Sequence, residues 1–365
     1  YDEALALRLA AAVNRNASER IDTLLREAIQ LDPGFAEAYA LLGSTFSIRP
    51  QIGYATVWAD SALALAGKAL ALDSLLSMGW AATGTALSQL GRLEDSREAY
   101  LRALELAPGD PRTITNLAAT ATELARYEEG LLLGVRASRL APHNPIPKLL
   151  VALVNSTLGR WDEAVAWIEA MESDTTDVDF FRRTVLIQIE LNRGAGEQAG
   201  NLSQAWLAAE PESPFAHTQS ILIQAREDLP GAAVRARQML AEYPEFDWFD
   251  SQDLLQRLIA LDLMRAGDTT AARRLLEAQE AEATADVAAG IGGPEAHWSL
   301  GILHAIQGRR EEAIEHLRSA ADRGLIPSTL FIGPPQTDPR LASLRDDPRF
   351  HEVIRKIEET RMNIR

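Results

Sequence analysis

The stretch from Trp298 to Ala320, WSLGILHAIQGRREEAIEHLRSA, constrains this chain more than any other part of it. It reads as two short amphipathic helices joined by a tight turn at Gln307-Gly308-Arg309. Trp298, Leu300, Gly301 and His304 follow the spacing Trp-x-x-Leu-Gly-x-x-Tyr, with one residue fewer between Trp and Gly. Ala313, Leu317 and Ala320 follow Ala-x-x-x-Phe-x-x-Ala. Gly301 lets the first helix (helix A) come close to the second (helix B). Ala313 and Ala320 keep the facing side of helix B small, and Trp298 and Leu317 fill what remains. One such pair cannot bury its own apolar face, so it requires neighbours of the same kind.

The rest of the chain supplies them. Tyr1–Val13 and Glu19–Leu31 carry apolar residues at helical spacing, and REAIQLDP ends the second helix at Pro33. Phe35–Phe46 is the next helix A, with Tyr39, Leu42, Gly43 and Phe46 in place. Its helix B, around Ala62, Ala69 and Asp73, comes roughly seven residues late, which puts an insertion near 47–61. Trp80, Gly84, Leu87, Gly91, Ser96, Tyr100, Ala103 and Pro108 form a regular pair, and Ile114–Pro142 forms another. LGRWDEAVAWIEAM turns at Gly159-Arg160. Weaker pairs are expected over Phe180–Pro211, Pro214–Pro244 and Asp247–Ala281, with loops at SDTTDVD and ADVAAGIGGP. About eight pairs make a solenoid over 1–323, and 324–365 make an irregular cap with Leu325, Phe331, Leu341, Leu344, Phe350, Val353 and Ile357 against its open end.

Composition removes several chemistries. There are 0 cysteines, so disulfides, zinc thiolates and cysteine nucleophiles are excluded. A net charge of −16 argues against nucleic acid and anionic membranes and mildly favours a basic partner. No apolar run approaches the ~20 residues of a membrane span, and no signal peptide is visible. The chain opens without Met and reads as part of a longer protein; cytoplasmic and periplasmic locations both stay open. His297 and His304 share a helical face, but no H-E-x-x-H is present and His304 holds a packing position. Asp174, Asp177 and Asp179 lack the Gly and distal Glu of a calcium loop. Gly290-Ile291-Gly292-Gly293 has no strand before it and no Lys-Ser/Thr after it. No Gly-x-Ser-x-Gly elbow occurs. The expectation is a non-catalytic protein with no metal and no cofactor.

The repeated pair resembles the tetratricopeptide repeat, which implies an all-α, right-handed helical solenoid. The whole also resembles one group of such proteins, the C-terminal sensor or interaction regions of bacterial signalling proteins. These follow adenylate-cyclase, serine/threonine-kinase or winged-helix domains. The opening helix with LLREAIQLDPGFAEAYALLG, the delayed ADSALALAGKALALD and the ending DPRLASLRDDPRFHEVIRKI carry that resemblance.

The resemblance implies a scaffold whose A helices line a concave, partner-binding groove. At the corresponding offsets the central repeats place Met78, Ala81, Thr85 and Ser88, then Arg112, Thr115, Asn116, Ala119 and Thr122. Further on come Leu149, Leu153 and Ser156, then Thr184, Gln188, His217 and Gln224. The Lys, Asn and Arg with which some of these domains clamp a C-terminal carboxylate are mostly replaced, so that mode is disfavoured. Tyr54 and Trp58 in the insertion, and Phe246, Trp248 and Phe249 in EFDWFD, are candidate aromatic hot spots. The expected function is a protein- or peptide-binding scaffold, the regulatory region of a larger bacterial signalling protein. A self-assembling structural subunit and a small-molecule sensor using the groove are the alternatives.

Overall fold

A computed structural model describes residues 1–4, 15–46, 55–171, 176–244, 246, 251–290, 293–325 and 334–363; the side chains of 15–19, 46, 55–58, 176–178, 181 and 251 are outside that description. The fold is all-α, with no strand among the described residues. It divides into two compact units, Tyr1–Ala141 and Pro142–Arg365. In unit 1, α1 (Arg15–Leu31) precedes three A/B pairs: α2 (Ala36–Phe46) with α3 (Ala55–Leu72), α4 (Ser77–Gln89) with α5 (Leu93–Leu106), and α6 (Pro111–Glu123) with α7 (Tyr127–Leu140). Unit 2 pairs α8 (Pro145–Thr157) with α9 (Trp161–Glu169), and α10 (Thr176–Asn192) with α11 (Gly196–Ala209). It continues with α12 (Pro214–Gln224) and α13 (Leu229–Glu242), α14 (Ser251–Arg265) and α15 (Thr269–Ala289), and α16 (Gly293–Ile306) and α17 (Arg310–Asp322). A 3-10 helix (Pro339–Leu344) and α18 (Pro348–Asn363) end it.

Local chemistry sets these boundaries. Asp110, Asn144 and Ser213 each cap an A helix through a side-chain oxygen, with Pro in the first helical turn. Most A helices that turn directly into a B partner end in a left-handed residue, bracketed by a bond from the following N–H to the carbonyl five positions back; α12 instead ends at Ala225 in a right-handed conformation. Arg92 N–H donates to the Leu87 carbonyl at 2.9 Å, and Arg309 N–H to His304 at 2.9 Å. The left-handed positions are Gly91, Gly159, Gly194, Gly267 and Gly308. In the third pair the same position is Ala125, with φ 59. A Cβ there crowds the following carbonyl, so this turn is made against steric resistance.

Small residues let the paired helices touch. A Cβ on Gly84 would lie 2.8 Å from the ring of Tyr100, and one on Gly301 would lie 2.6 Å from Leu317 Cγ. Gly43 meets the Ala62 carbonyl in the same way. In α6–α7 the small residue has changed sides: Gly130 of helix B approaches the Ala118 carbonyl. The apolar stripes then merge into cores, such as Ile21, Leu25, Ala38, Leu41 and Ala62 in unit 1. In unit 2, α10 has Ile187 in its core and is held by large residues instead: Phe180, Trp206 and Phe215 stack with centroids 3.8–5.8 Å apart.

Several boundaries differ from the sequence expectation. Helix α3 starts at Ala55, so residues 55–61 lengthen helix B rather than the insertion. Helix α10 starts at Thr176, inside the expected acidic loop, and α15 runs to Ala289. Nothing before Gly290 breaks that Ala- and Glu-rich run, and Gly290, left-handed at φ 69, stops it. Helix α16 starts at Gly293, five residues before Trp298. The capping residues Leu325, Leu341, Leu344, Phe350, Val353 and Ile357 are buried as expected; Phe331 lies outside the described residues.

Two outcomes are expected from this packing. Ala125→Gly raises stability by about 0.5–1 kcal/mol, the relieved left-handed strain less the entropy glycine adds to the unfolded chain. Urea midpoints of the two proteins measure it, and a lower midpoint for the glycine variant refutes it. Gly84→Ala lowers stability by about 1–3 kcal/mol by overpacking against Tyr100. Gly109→Ala, whose Cβ would meet nothing within 4 Å, stays within about 0.5 kcal/mol of wild type.

Candidate functional site

In unit 1 one face of α4 and of α6 is open, whereas α2 is buried at most of its positions. Ala81, Thr85 and Ser88 of α4 are half-buried, Ala119 of α6 is half-buried, and Arg112, Asn116 and Glu123 of α6 are exposed. Their spacings of three and four residues make one stripe on each helix. The hydroxyl of Tyr100, a helix-B residue, reaches this surface from behind. Its ring passes over Gly84, and its Oη donates to Thr85 Oγ1 at 2.9 Å, with Asn116 also in hydrogen-bond contact. Burial pushes the Tyr100 phenol up to about 12, so it stays a hydrogen-bond donor.

Glu123 closes the far end of the stripe. The residue is exposed. Partial desolvation of the carboxyl pushes it up to about 7, opposed by a hydrogen bond with Ser88. The repeat offsets point to Thr122, one position away, and not to Glu123. Thr122 instead bonds the Ala118 carbonyl at 2.9 Å and lies under Gly130 of α7. Thr115 is buried and bonds the Pro111 carbonyl at 2.7 Å. The open stripe of α6 is therefore Arg112, Asn116, Ala119 and Glu123, and the structure does not bring Thr115 or Thr122 to it.

Unit 2 is arranged differently. Thr184 and Gln188 are each 2% exposed. Gln188 Nε2 donates to Asn192 Oδ1 at 3.1 Å, while Thr184 Oγ1 and Gln188 Oε1 find no partner. His217 Nε2 lies 2.8 Å from the Pro211 carbonyl oxygen. Gln224 bridges Asp228 (2.9 Å) and Arg235 (2.7 Å). These four are engaged with their own unit or sealed inside it. The chain's own C-terminal segment covers another part of this unit. Helix α16 is buried at ten positions, Ile302 and Ala305 among them, with the 3-10 helix packed against it. Ser343 Oγ donates to the Ala305 carbonyl at 3.2 Å, Arg226 donates to Thr337 Oγ1 at 2.9 Å, and Arg361 Nε donates to the Thr157 carbonyl at 2.8 Å. Residues 337–361 thus touch the C-terminal ends of α8, α12 and α16. No repeat signature announces that; the expectation placed the segment at the end of the solenoid only.

Of the aromatic candidates, Phe246 is half-buried and meets Phe215 edge-on at 4.8 Å, a seat for the next pair. Tyr54, Trp248, Phe249 and the Trp58 side chain lie outside the described residues.

A cluster not foreseen in full sits between α16 and α17. His297 Nδ1 and His316 Nδ1 are 3.1 Å apart, and the His304 and His316 rings are 5.3 Å apart. His304 Nε2 is 3.8 Å from Glu280 Oε1 of α15, a carboxylate also bonded by Gln307 and Arg309. Among the described residues no group of three or more acidic or imidazole side chains is arranged to hold a metal. A second concavity of ≈ 280 Å³ lies between α14, α15 and α16, where Arg257 donates to Gln279 Oε1 (2.7 Å) and Ser299 Oγ (3.0 Å).

The tetratricopeptide repeat family matches residues 257–324, and a second match covers residues 80–110. No curated protein matches the chain. The APC/C hetero-tetramer Cut9-Hcn1 is similar at 14% identity, over 66% of this chain and 46% of that one, with a TM-score of 0.50. YrrB, a TPR protein with an unusual peptide-binding site, is similar at 17% identity over 53% of this chain and 95% of its own (TM-score 0.38). Pseudomonas aeruginosa pilF is similar at 19% identity, over 58% and 96% (TM-score 0.42). The chain carries tetratricopeptide repeats on an all-α fold. That fold is typically a non-catalytic scaffold for protein–protein interaction. No helix of the described residues is long and apolar enough to cross a membrane.

The histidine cluster carries a pH dependence. Burial lowers all three imidazoles below their ordinary 6.5, helped at His297 by Arg323 and His316 and at His304 by Arg309 and His316; Glu280, Glu312 and Glu315 pull back. The unfolded chain therefore takes up protons first as pH falls. Stability is complete above about pH 6.5 and declines as pH drops through the lowered values. Glu123, raised when folded, acts in the opposite sense, so wild type is compared with His316→Gln, in which Glu123 is unchanged. The fall in melting temperature from pH 7 to 5.5 is expected to be smaller in His316→Gln; an equal fall refutes the assignment.

Proposed function

We propose that this region is a non-catalytic scaffold that binds a protein or peptide partner through the open A-helix face of unit 1. One observation carries the reading. The stripe Ala81–Thr85–Ser88 and Arg112–Asn116–Ala119–Glu123 is open to water and equipped with hydroxyls, an amide and two charges. The equivalent residues of unit 2 are sealed or engaged, and α16 is covered by the chain's own C-terminal segment. A mixed polar and small-residue surface suits an extended peptide backbone, whose own N–H and C=O groups need partners when they leave water. The role we propose for this surface is regulatory, within a larger bacterial signalling protein. That part rests on the resemblance of the opening helices, the long second pair and the DPRF-type ending.

The test is site-specific photo-crosslinking in lysate of the source cell. The photoreactive residue p-benzoylphenylalanine replaces Ala81 or Ala119 on the open face, or Glu98 on the exposed side of helix B, and adducts are identified by mass spectrometry. One protein captured from both Ala81 and Ala119, and absent from Glu98, is the expected result. Adducts of the chain with itself at those positions favour the self-assembling subunit instead. No adduct at either position, with the chain folded, removes this face as the binding surface.

A further inference from the structure

The close approach of Gly301 on α16 to Leu317 on α17 also fixes where three histidines meet. His297 lies one turn before Gly301 and His304 one turn after it, about 10.5 Å apart along the helix axis. His316 is the neighbour of Leu317 on the facing helix. Its ring stands between the other two, with centroids 5.4 Å from His297 and 5.3 Å from His304. The two outer histidines differ. His304 is sealed, and its Nε2 lies 3.8 Å from Glu280 Oε1. His297 and His316 are only half-buried, and their Nδ1 atoms lie 3.1 Å apart.

That separation suits two ligands of one ion. Imidazole nitrogens each about 2.0–2.1 Å from a shared ion lie about 2.9 Å apart at a right angle and about 3.3 Å apart at the tetrahedral angle. The 3.1 Å between the two Nδ1 atoms falls inside that interval. Without an ion, one Nδ1–H donates to the lone pair of the other ring. Moving that proton to the Nε2 of its own ring leaves a lone pair on both Nδ1 atoms and releases no proton. Burial lowers both imidazoles, so the rings are neutral at pH 7. Around the pair, Arg323 opposes a cation at His297 and Glu315 favours one at His316. There are 0 cysteines to compete for the ion. Imidazole selects copper, nickel and zinc over the oxygen-seeking magnesium and calcium.

We propose that His297 and His316 are the two protein ligands of a site for a divalent transition-metal ion, with Cu2+ held more tightly than Ni2+ or Zn2+. Water completes the coordination, since among the described residues no third acidic or imidazole side chain is arranged to join the pair. The ion ties α16 to α17 in the repeat on which the C-terminal segment packs. It binds the folded hairpin, and the unfolded chain holds no such pair together, so it stabilises the last repeat. Nothing in this site depends on the open face of unit 1.

The test titrates CuCl2 into the metal-stripped full chain by calorimetry at neutral pH, beside His297→Gln, His316→Gln and, as a control, His143→Gln. Wild type and His143→Gln are expected to bind one ion per chain. His297→Gln and His316→Gln should each bind it at least about tenfold more weakly, the low end of what loss of a group merely supporting a ligand costs. Copper should raise the melting temperature of wild type and not that of His316→Gln. Electron paramagnetic resonance of wild type with one equivalent of Cu2+ reads the ligands directly and needs no variant to fold; two imidazole nitrogens are expected. One imidazole or none overturns the proposal. Equal affinity in all four proteins also overturns it and leaves only an adventitious ion on a −16 chain. A copper-dependent dimer by light scattering overturns it too, because the ion then bridges two chains instead of two helices.

Discussion

The fold depends on the close approach of each A helix to its B partner. Where Gly84 faces Tyr100 or Gly301 faces Leu317, the missing Cβ is the space the partner's side chain occupies. Ser96 uses the same closeness to donate to the Gly84 carbonyl at 2.7 Å. Such a contact makes the pair rigid but leaves its outer faces apolar, so a pair persists only when stacked. The capped starts, the left-handed turn residues and the Pro breaks fix helix lengths so that successive pairs present matching faces.

That approach also builds the candidate site. Because Gly84 has no side chain, the Tyr100 ring crosses between α4 and its partner and delivers a hydroxyl to the far surface. The candidate face is therefore made from both helices of a pair, although only the A helices line it. In α6–α7 the glycine sits on helix B, at Gly130, which turns Thr122 inward and leaves Glu123 on the open stripe. A single residue of rotation in a helix decides whether a groove carries a hydroxyl or a carboxylate.

The two units use one repeat for different ends. In unit 1 one face of α4 and of α6 is left to solvent. In unit 2 the segment after Pro334 contacts the ends of α8, α12 and α16, and Arg361 closes onto Thr157 across 204 residues of chain. Charge holds the segment as well as burial: Asp347 receives both Arg310 and Arg349, and Arg349 also reaches Glu311. These hydrogen bonds and cations hold the Asp347 carboxyl well below its usual range. The last repeat bears this segment on one side and the three histidines between its helices.

The repeat, its turns and most of the capping residues were legible in the sequence. Gly, Pro, Trp and small-residue positions act locally, through backbone φ and through what fits between two helices. Boundaries that depend on the absence of a breaker, such as the run of α15 to Gly290, were legible in principle and misread. The site was half legible. Arg112, Asn116 and Ala119 sit on the stripe that the offsets indicated, whereas Thr115, Thr184 and Gln188 are buried. Helical offsets specify a direction from the axis, and only neighbouring elements decide whether that direction ends in water. The covering of α16 by residues far along the chain is a property of assembled surroundings, and it exists only once the tertiary structure has formed.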